Sequence, residues 1–236
     1  MNKDNMDIYK RARNNSFSVE EWKARVDLAA CYQVFDQKGW TDGINTHLSM
    51  RIPGKDNHFL LKPDNLMFYE VKASNLVRLN LKGEKVSKKS IFNFNEAGYM
   101  IHSAVLSDRS DINCVIHHHS IAGMVIGALE QGLMFITQHA IQFYDNVGYH
   151  NYNGFGLDIK KEKKRIASDL ANNDVLFMRN HGVLVCGRNV GEAFCRMDDL
   201  EKACKTQLGI LSSNSKIHNP PINIIELTKS QYDNIG

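Results

Sequence analysis

The chain has 236 residues, 43% hydrophobic and 23% charged, with a formal net charge of +3, enough for one well-buried domain or a domain with an appendage. Nucleic acid is not an expected partner, because the charge is small and evenly spread; the one basic run, Lys160 to Arg165, reads as the solvated face of a helix with Ile159, Ile166 and Leu170 opposite. The absence of a stretch of roughly 18 apolar residues excludes a helical membrane span. A polar start without an apolar segment, and five cysteines without a CxxC pair, fit a cytoplasmic protein with reduced thiols.

Residues 1–17 are polar and read as a mobile lead segment. Ser18 with Glu21 forms a capping box for a helix carrying Trp22, Val26, Ala29 and Ala30 on one side and ending near Gly39. Ile44 to Ile52 alternates, with Asn45, His47, Ser49 and Arg51 forming a polar face. His58 to Lys62 and Leu76 to Leu81 read as further strands. Asn95 caps a helix with Tyr99, His102, Val105 and Leu106. A strand through Ile112, Val115 and Ile116 follows, then a helix capped by Ser120 that stops at Gly132. Short strands are predicted at Phe135–Gln138 and Gly148–Tyr152. Asp158 caps the basic helix. Strands Asp174–Met178 and Val183–Cys186 precede a helix opened by Asn189 and Glu192, running to about Leu211. Residues 212–236 form a tail whose Ile222, Ile224, Ile225 and Leu227 suggest docking. This mixture predicts an α/β chain: a three-layer α/β/α sandwich around a mostly antiparallel mixed sheet, built by residues 18–211.

The chemistry concentrates in His117-His118-His119 and in Arg179-Asn180-His181-Gly182. Strand alternation puts His117 and His119 on one face and His118, read as a hydrogen-bonding residue, on the other. Two readings stand: core histidines satisfied by hydrogen bonds, or two ligands of a metal site that His181 completes as a His₃ set with an open position.

The stretch Ala97-Gly98-Tyr99-Met100-Ile101-His102-Ser103-Ala104, both histidine motifs, Gly39-Trp40-Thr41-Asp42, Asn45-Thr46-His47-Leu48-Ser49-Met50-Arg51 and Tyr149-His150-Asn151-Tyr152 together resemble the class II aldolase/adducin family, its adducin-like branch. The resemblance implies a subunit of a homotetramer with the active site near a subunit seam. It also implies Zn²⁺ or another divalent transition metal on His117, His119 and His181. There a small-molecule substrate, a hydroxy-carbonyl compound, would lose a C–C bond or CO₂ through a metal-stabilised enediolate. The alternative it implies is a non-catalytic assembly module. Family aldolases place a carboxylate where this chain has Gly98, so Glu96 is the expected substitute. Asp64 and Glu96 are expected to repel a phosphate. His139 stands near where the family presents a tyrosine from a neighbouring subunit, and is a candidate acid/base. Asn45, His47 and Arg51 are candidate substrate contacts, although for Arg51 and Arg179 internal pairing with acids such as Asp174 is the expectation preferred over a grip on a substrate carboxylate. His102 reads either as an orienting partner for the site or as a core histidine. Tyr149, His150 and Tyr152 line the pocket or an interface.

Overall fold

Alternating strands with helices on both sides need two separate apolar clusters, and the computed structural model, which describes residues 3–86, 91–154 and 158–235, has them. The strands are β1 (His47–Ile52), β2 (Lys55–Leu61), β3 (Val77–Asn80), β4 (Cys114–His118), β5 (Val147–His150), β6 (Val175–Met178) and β7 (Gly182–Gly187). They form one seven-stranded sheet in the order β3-β2-β1-β4-β7-β6-β5. Only the β5–β6 pair is parallel.

On one face, Leu48, Ile116, Val185 and Phe177 pack against α2 (Val19–Gln37), α4 (Ile121–Ala128) and α7 (Val190–Ser212). On the other, Phe59, Val115, Leu184 and Leu176 pack against α3 (Glu96–Asp108) and α6 (Ile159–Leu170). The expected three-layer sandwich is therefore present. Ser18, Asn95, Ser120, Asp158 and Asn189 each accept a hydrogen bond from the backbone N–H three residues on, satisfying donors that the first turn leaves free.

The departures have local causes. The polar face of β1 is buried rather than solvated, because α3 covers it and supplies partners. Arg51 donates to the carbonyls of Leu106, Arg109 and Ile112 at the carboxyl end of α3, a cation placed at the negative end of a helix. Phe135–Gln138 is not a strand: Thr137 accepts from the Ala140 N–H and starts the short helix α5 (Gln138–Ile141). Residues 1–17 contain a further helix, α1 (Lys3–Asn14), whose Ala12 is buried, and Phe17 beyond it stacks on Trp22 at 6.0 Å. In the tail, α8 (Ile222–Ile235) buries Ile225 but leaves Ile222, Ile224 and Leu227 exposed. Its Tyr232 hydroxyl receives a hydrogen bond from Gln138 on α5. Among the described residues no helix is long and apolar enough to cross a membrane. Of the cysteines, Cys31, Cys114, Cys186 and Cys204 are buried thiols and Cys195 is exposed.

Candidate metal centre

The β4 strand carries His117 opposite Leu184 of β7 and opposite His47 of β1. The turn from β6 to β7 sets Asn180 at φ +58°, in the left-handed region that asparagine tolerates, and returns His181 above β4. Gly182 allows the approach: a Cβ there would lie 2.7 Å from the His118 carbonyl oxygen and 2.7 Å from the His119 ring. The result is one cluster of three imidazoles, with ring centroids 4.8 to 4.9 Å apart and ligand nitrogens all within 4.8 Å of one another.

The hydrogen bonds around this cluster orient its rings toward one another. His117 Nδ1 donates to the Val183 carbonyl at 3.1 Å, and His119 Nδ1 to the Asp42 carboxylate at 2.9 Å. With both Nδ1 atoms committed as donors, each Nε2 of a neutral ring presents a lone pair, and the two Nε2 atoms face each other at 2.9 Å. Two lone pairs at that distance repel, and either a proton or a metal ion between them relieves the repulsion. The edge of a tetrahedral zinc site is about 3.3 Å, so small ring movements suffice. Carbonyl and carboxylate partners on the remote nitrogens are the usual supports of metal-bound histidine. Burial holds His117 well below its ordinary pKa and His181 at about 4, so both rings are neutral and available as ligands at neutral pH. The donor set fits a divalent transition metal.

His118 does not make the hydrogen bonds expected of it. Its ring lies on the other face among Phe35 and Trp40, and neither nitrogen has a partner among the described residues. Burial lowers its pKa to about 4.

The three histidines open into a cavity of about 560 Å³. Asn45 and His47 line it, as expected of substrate contacts. Arg51 does not: its guanidinium is spent on backbone carbonyls at the far end of β1. Arg179 lines the cavity, yet donates to the carbonyls of Gly127, Leu129 and Glu130 rather than to an acid. Asp174 pairs instead with Arg109 and Arg196. Glu96 is exposed at the start of α3 and lies outside both the cavity lining and the ligand cluster, although its neighbours Asn95 and Ala97 line the cavity. Asp64 also stays outside the lining. His139 lies on α5, 3.9 Å from Asp199 and away from its own chain's cavity.

What occupies the place of the carboxylate is an imidazole. A Cβ on Gly98 would lie 2.7 Å from His47 Cδ2 and 2.8 Å from Nε2. Gly98 sits in the ordinary helical region of α3, so a side chain there is barred by space and not, as its residue type suggests, by backbone conformation. His47 stacks on His117 at 5.2 Å, and its Nδ1 meets His102 Nε2 at 2.8 Å. His102 therefore touches His47 and Ser49 rather than a ligand.

Asp42 and Glu162 escape a reading of sequence, whereas His150 and Tyr152, read as lining the pocket or an interface, line the cavity. Asp42 is 77 residues from the histidine it orients, and its carboxyl is held below the usual range chiefly by that hydrogen bond. His150 and Glu162 line the cavity as a buried pair at 2.9 Å, with Asp169 on the other ring nitrogen. Glu162 sits inside the basic run, where the neighbouring lysines disguise it. Tyr152 lines the cavity too, 6.4 Å from His181, whereas Tyr149 turns inward to accept from the Leu133 N–H.

This fold with this histidine cluster defines a class, and comparison with known proteins agrees. Residues 26–208 match the model of the Class II Aldolase and Adducin N-terminal domain, and the chain belongs to that family. An aldolase II superfamily protein from Pseudomonas syringae superposes with a TM-score of 0.88 at 40% identity, over 92% of this chain and 88% of its own. L-fuculose 1-phosphate aldolase from Glaciozyma antarctica gives 0.80 at 26% identity, over 90% and 82%. Alpha-adducin of Mus musculus is 37% identical over 88% of this chain, which spans 28% of that longer protein.

Proposed function

We propose that this chain is a metal-dependent lyase of aldolase type, cleaving a C–C bond or removing CO₂ from a small hydroxy-carbonyl substrate without phosphate, and that it works as a homotetramer. The observation that carries the reading is the convergence of three imidazoles, with His117 and His119 Nε2 2.9 Å apart beside His181 and their Nδ1 atoms held by a carbonyl and a carboxylate. His117, His119 and His181 would hold Zn²⁺ or another divalent transition metal, which supplies Lewis acidity toward the substrate's oxygens when bound. Val183 and Asp42 fix the ligand rings. Met100, Ile101 and Met178 give the cavity an apolar wall that excludes water, while Asn45, Tyr152 and Asn180 offer hydrogen bonds near its mouth.

Protein loaded with zinc and then freed of excess metal is expected to retain a single ion per chain by elemental analysis. His117→Ala and His181→Ala should each lose most of it. In deuterium oxide, the loaded protein should exchange the protons beside the carbonyl of hydroxyacetone. Zinc retained equally by both alanine variants would end the metal reading. A second reading, an assembly module without turnover, draws support from the similarity to alpha-adducin; metal retained without exchange on any hydroxy-carbonyl compound would favour it.

The exposed Ile121, two residues after His119, and the exposed Tyr152 at the cavity support a subunit seam close to the site. Sedimentation equilibrium should give about four times 26.8 kDa. A monomer mass at micromolar concentration would refute the tetramer.

A further inference from the structure

His47 is the buried group nearest the metal cluster that serves neither as a ligand nor as packing alone. Its ring is 4% exposed, stacked on His117 on one side and admitted by the bare Cα of Gly98 on another. A chain of three polar groups fixes which nitrogen carries its proton. Ser49 Oγ lies 2.6 Å from His102 Nδ1, and His102 Nε2 lies 2.8 Å from His47 Nδ1. Among the described residues the fully buried Ser49 hydroxyl meets no acceptor except His102 Nδ1. A buried hydroxyl proton left without an acceptor is costly, so the serine donates to Nδ1. His102 then carries its proton on Nε2 and donates it to His47 Nδ1. That leaves His47 with its own proton on Nε2. Reversing the chain would strand the serine proton.

His47 Nε2 has no partner among the described residues, and it is not sealed from solvent, unlike both nitrogens of His118. The ring lines the cavity. Because His47 Nδ1 accepts from His102, the His47 ring carries a single proton and is neutral.

We infer that His47 is a fixed, neutral hydrogen-bond donor, its Nε2–H aimed at a substrate oxygen on which negative charge develops, with Ser49 and His102 as the positioning residues that hold this tautomer and Gly98 the vacancy that admits the ring. Such a donor stabilises charge without giving up its proton. It does not ligate the metal and does not act as a base, because the nitrogen facing the cavity already bears hydrogen. The substrate part rests on the proposed lyase reading; the tautomer does not.

Long-range ¹H–¹⁵N correlation on metal-free protein labelled at histidine tests the tautomer, with His47→Gln and His102→Gln supplying assignments. His47 and His102 are both expected as the Nε2–H form. Ser49→Thr should keep that pattern and Ser49→Ala should lose it. An Nδ1–H or averaged His47 ring in the wild type overturns the inference. A second arm measures acetohydroxamate, a chelating oxyanion, binding to zinc-loaded protein by calorimetry. His47→Phe should bind it about 10–100-fold more weakly at unchanged zinc content. His47→Gln, whose amide N–H can stand near Nε2, should recover part of the loss. Equal affinity in His47→Phe and wild type overturns the donor role while leaving the lyase reading intact. If zinc fails to load, the lyase reading falls and the tautomer experiment still decides the inference.

Discussion

L-Fuculose 1-phosphate is expected to be cleaved at least about 10²-fold, and up to about 10⁴-fold, more slowly by this protein than by the Glaciozyma antarctica aldolase assayed beside it. A phosphorylated sugar needs a grip on its phosphate and a group placed to move a proton at the reacting carbon. Arg179 is the one lysine or arginine among the described residues lining the cavity, and its guanidinium is spent on three carbonyls. Burial keeps His47, His117 and His181 neutral, so these three bring no charge to a dianion. Position 98 offers no carboxylate, and Glu96 stays outside. The buried Glu162 is a carboxylate, but it is tied to His150 and Arg165. Release of dihydroxyacetone phosphate, followed with a coupled dehydrogenase, measures the rate. Parity between the two proteins would sink the expectation and require a phosphate site built from other groups.

The metal-free protein is expected to lose its fold cooperatively between about pH 6 and pH 4, through histidines that fold without their protons. His102 titrates at about 3 and His118 at about 4, against 6.5 when unfolded. The unfolded chain thus binds more protons than the native one below pH 6.5, and stability falls as pH falls. At pH 5 each of these groups costs about 2 kcal/mol relative to pH 7 and above. His47 and His117, also lowered by burial, act in the same direction. His102 and His118 together cost about 4 kcal/mol, a large share of the stability of a domain. Urea titrations at pH 7.5 and pH 5, read by circular dichroism, give the difference. His118→Phe removes one proton-binding site from an aromatic nest, so the pH 5 loss should shrink by about 2 kcal/mol in that variant. Equal stability at the two pH values would contradict this account.

Much of the architecture was legible because it is local. Five helix starts follow from side chains that cap their own backbone, and strand alternation put His117 and His119 on one face. The third histidine of the cluster rested on a turn, Asn180-His181-Gly182, whose left-handed asparagine and bare glycine are also local signals. Sequence reading failed where partners come from elsewhere in the chain. The polar side of β1 looks solvated until α3 lies on it. Arg51 resembles a substrate contact until the end of α3 offers it carbonyls. Glu96 was the nearest acid along the chain to the missing carboxylate, yet nearness along a helix start did not bring it into the cavity. Asp42 and Glu162 carry no periodicity that marks them. The helix α1 was missed because its composition is polar and, among its described side chains, the buried one is an alanine.

The contact between His47 and Gly98 has a consequence for how such sites diverge. Any side chain at 98 needs the imidazole gone, and removing the imidazole alone leaves a void beside a bare Cα. What position 98 can hold therefore depends on what stands at 47, so the two form an epistatic pair. For an engineer the same lock is a handle. Gly98→Glu should be inert as a single change and informative only together with a smaller residue at 47.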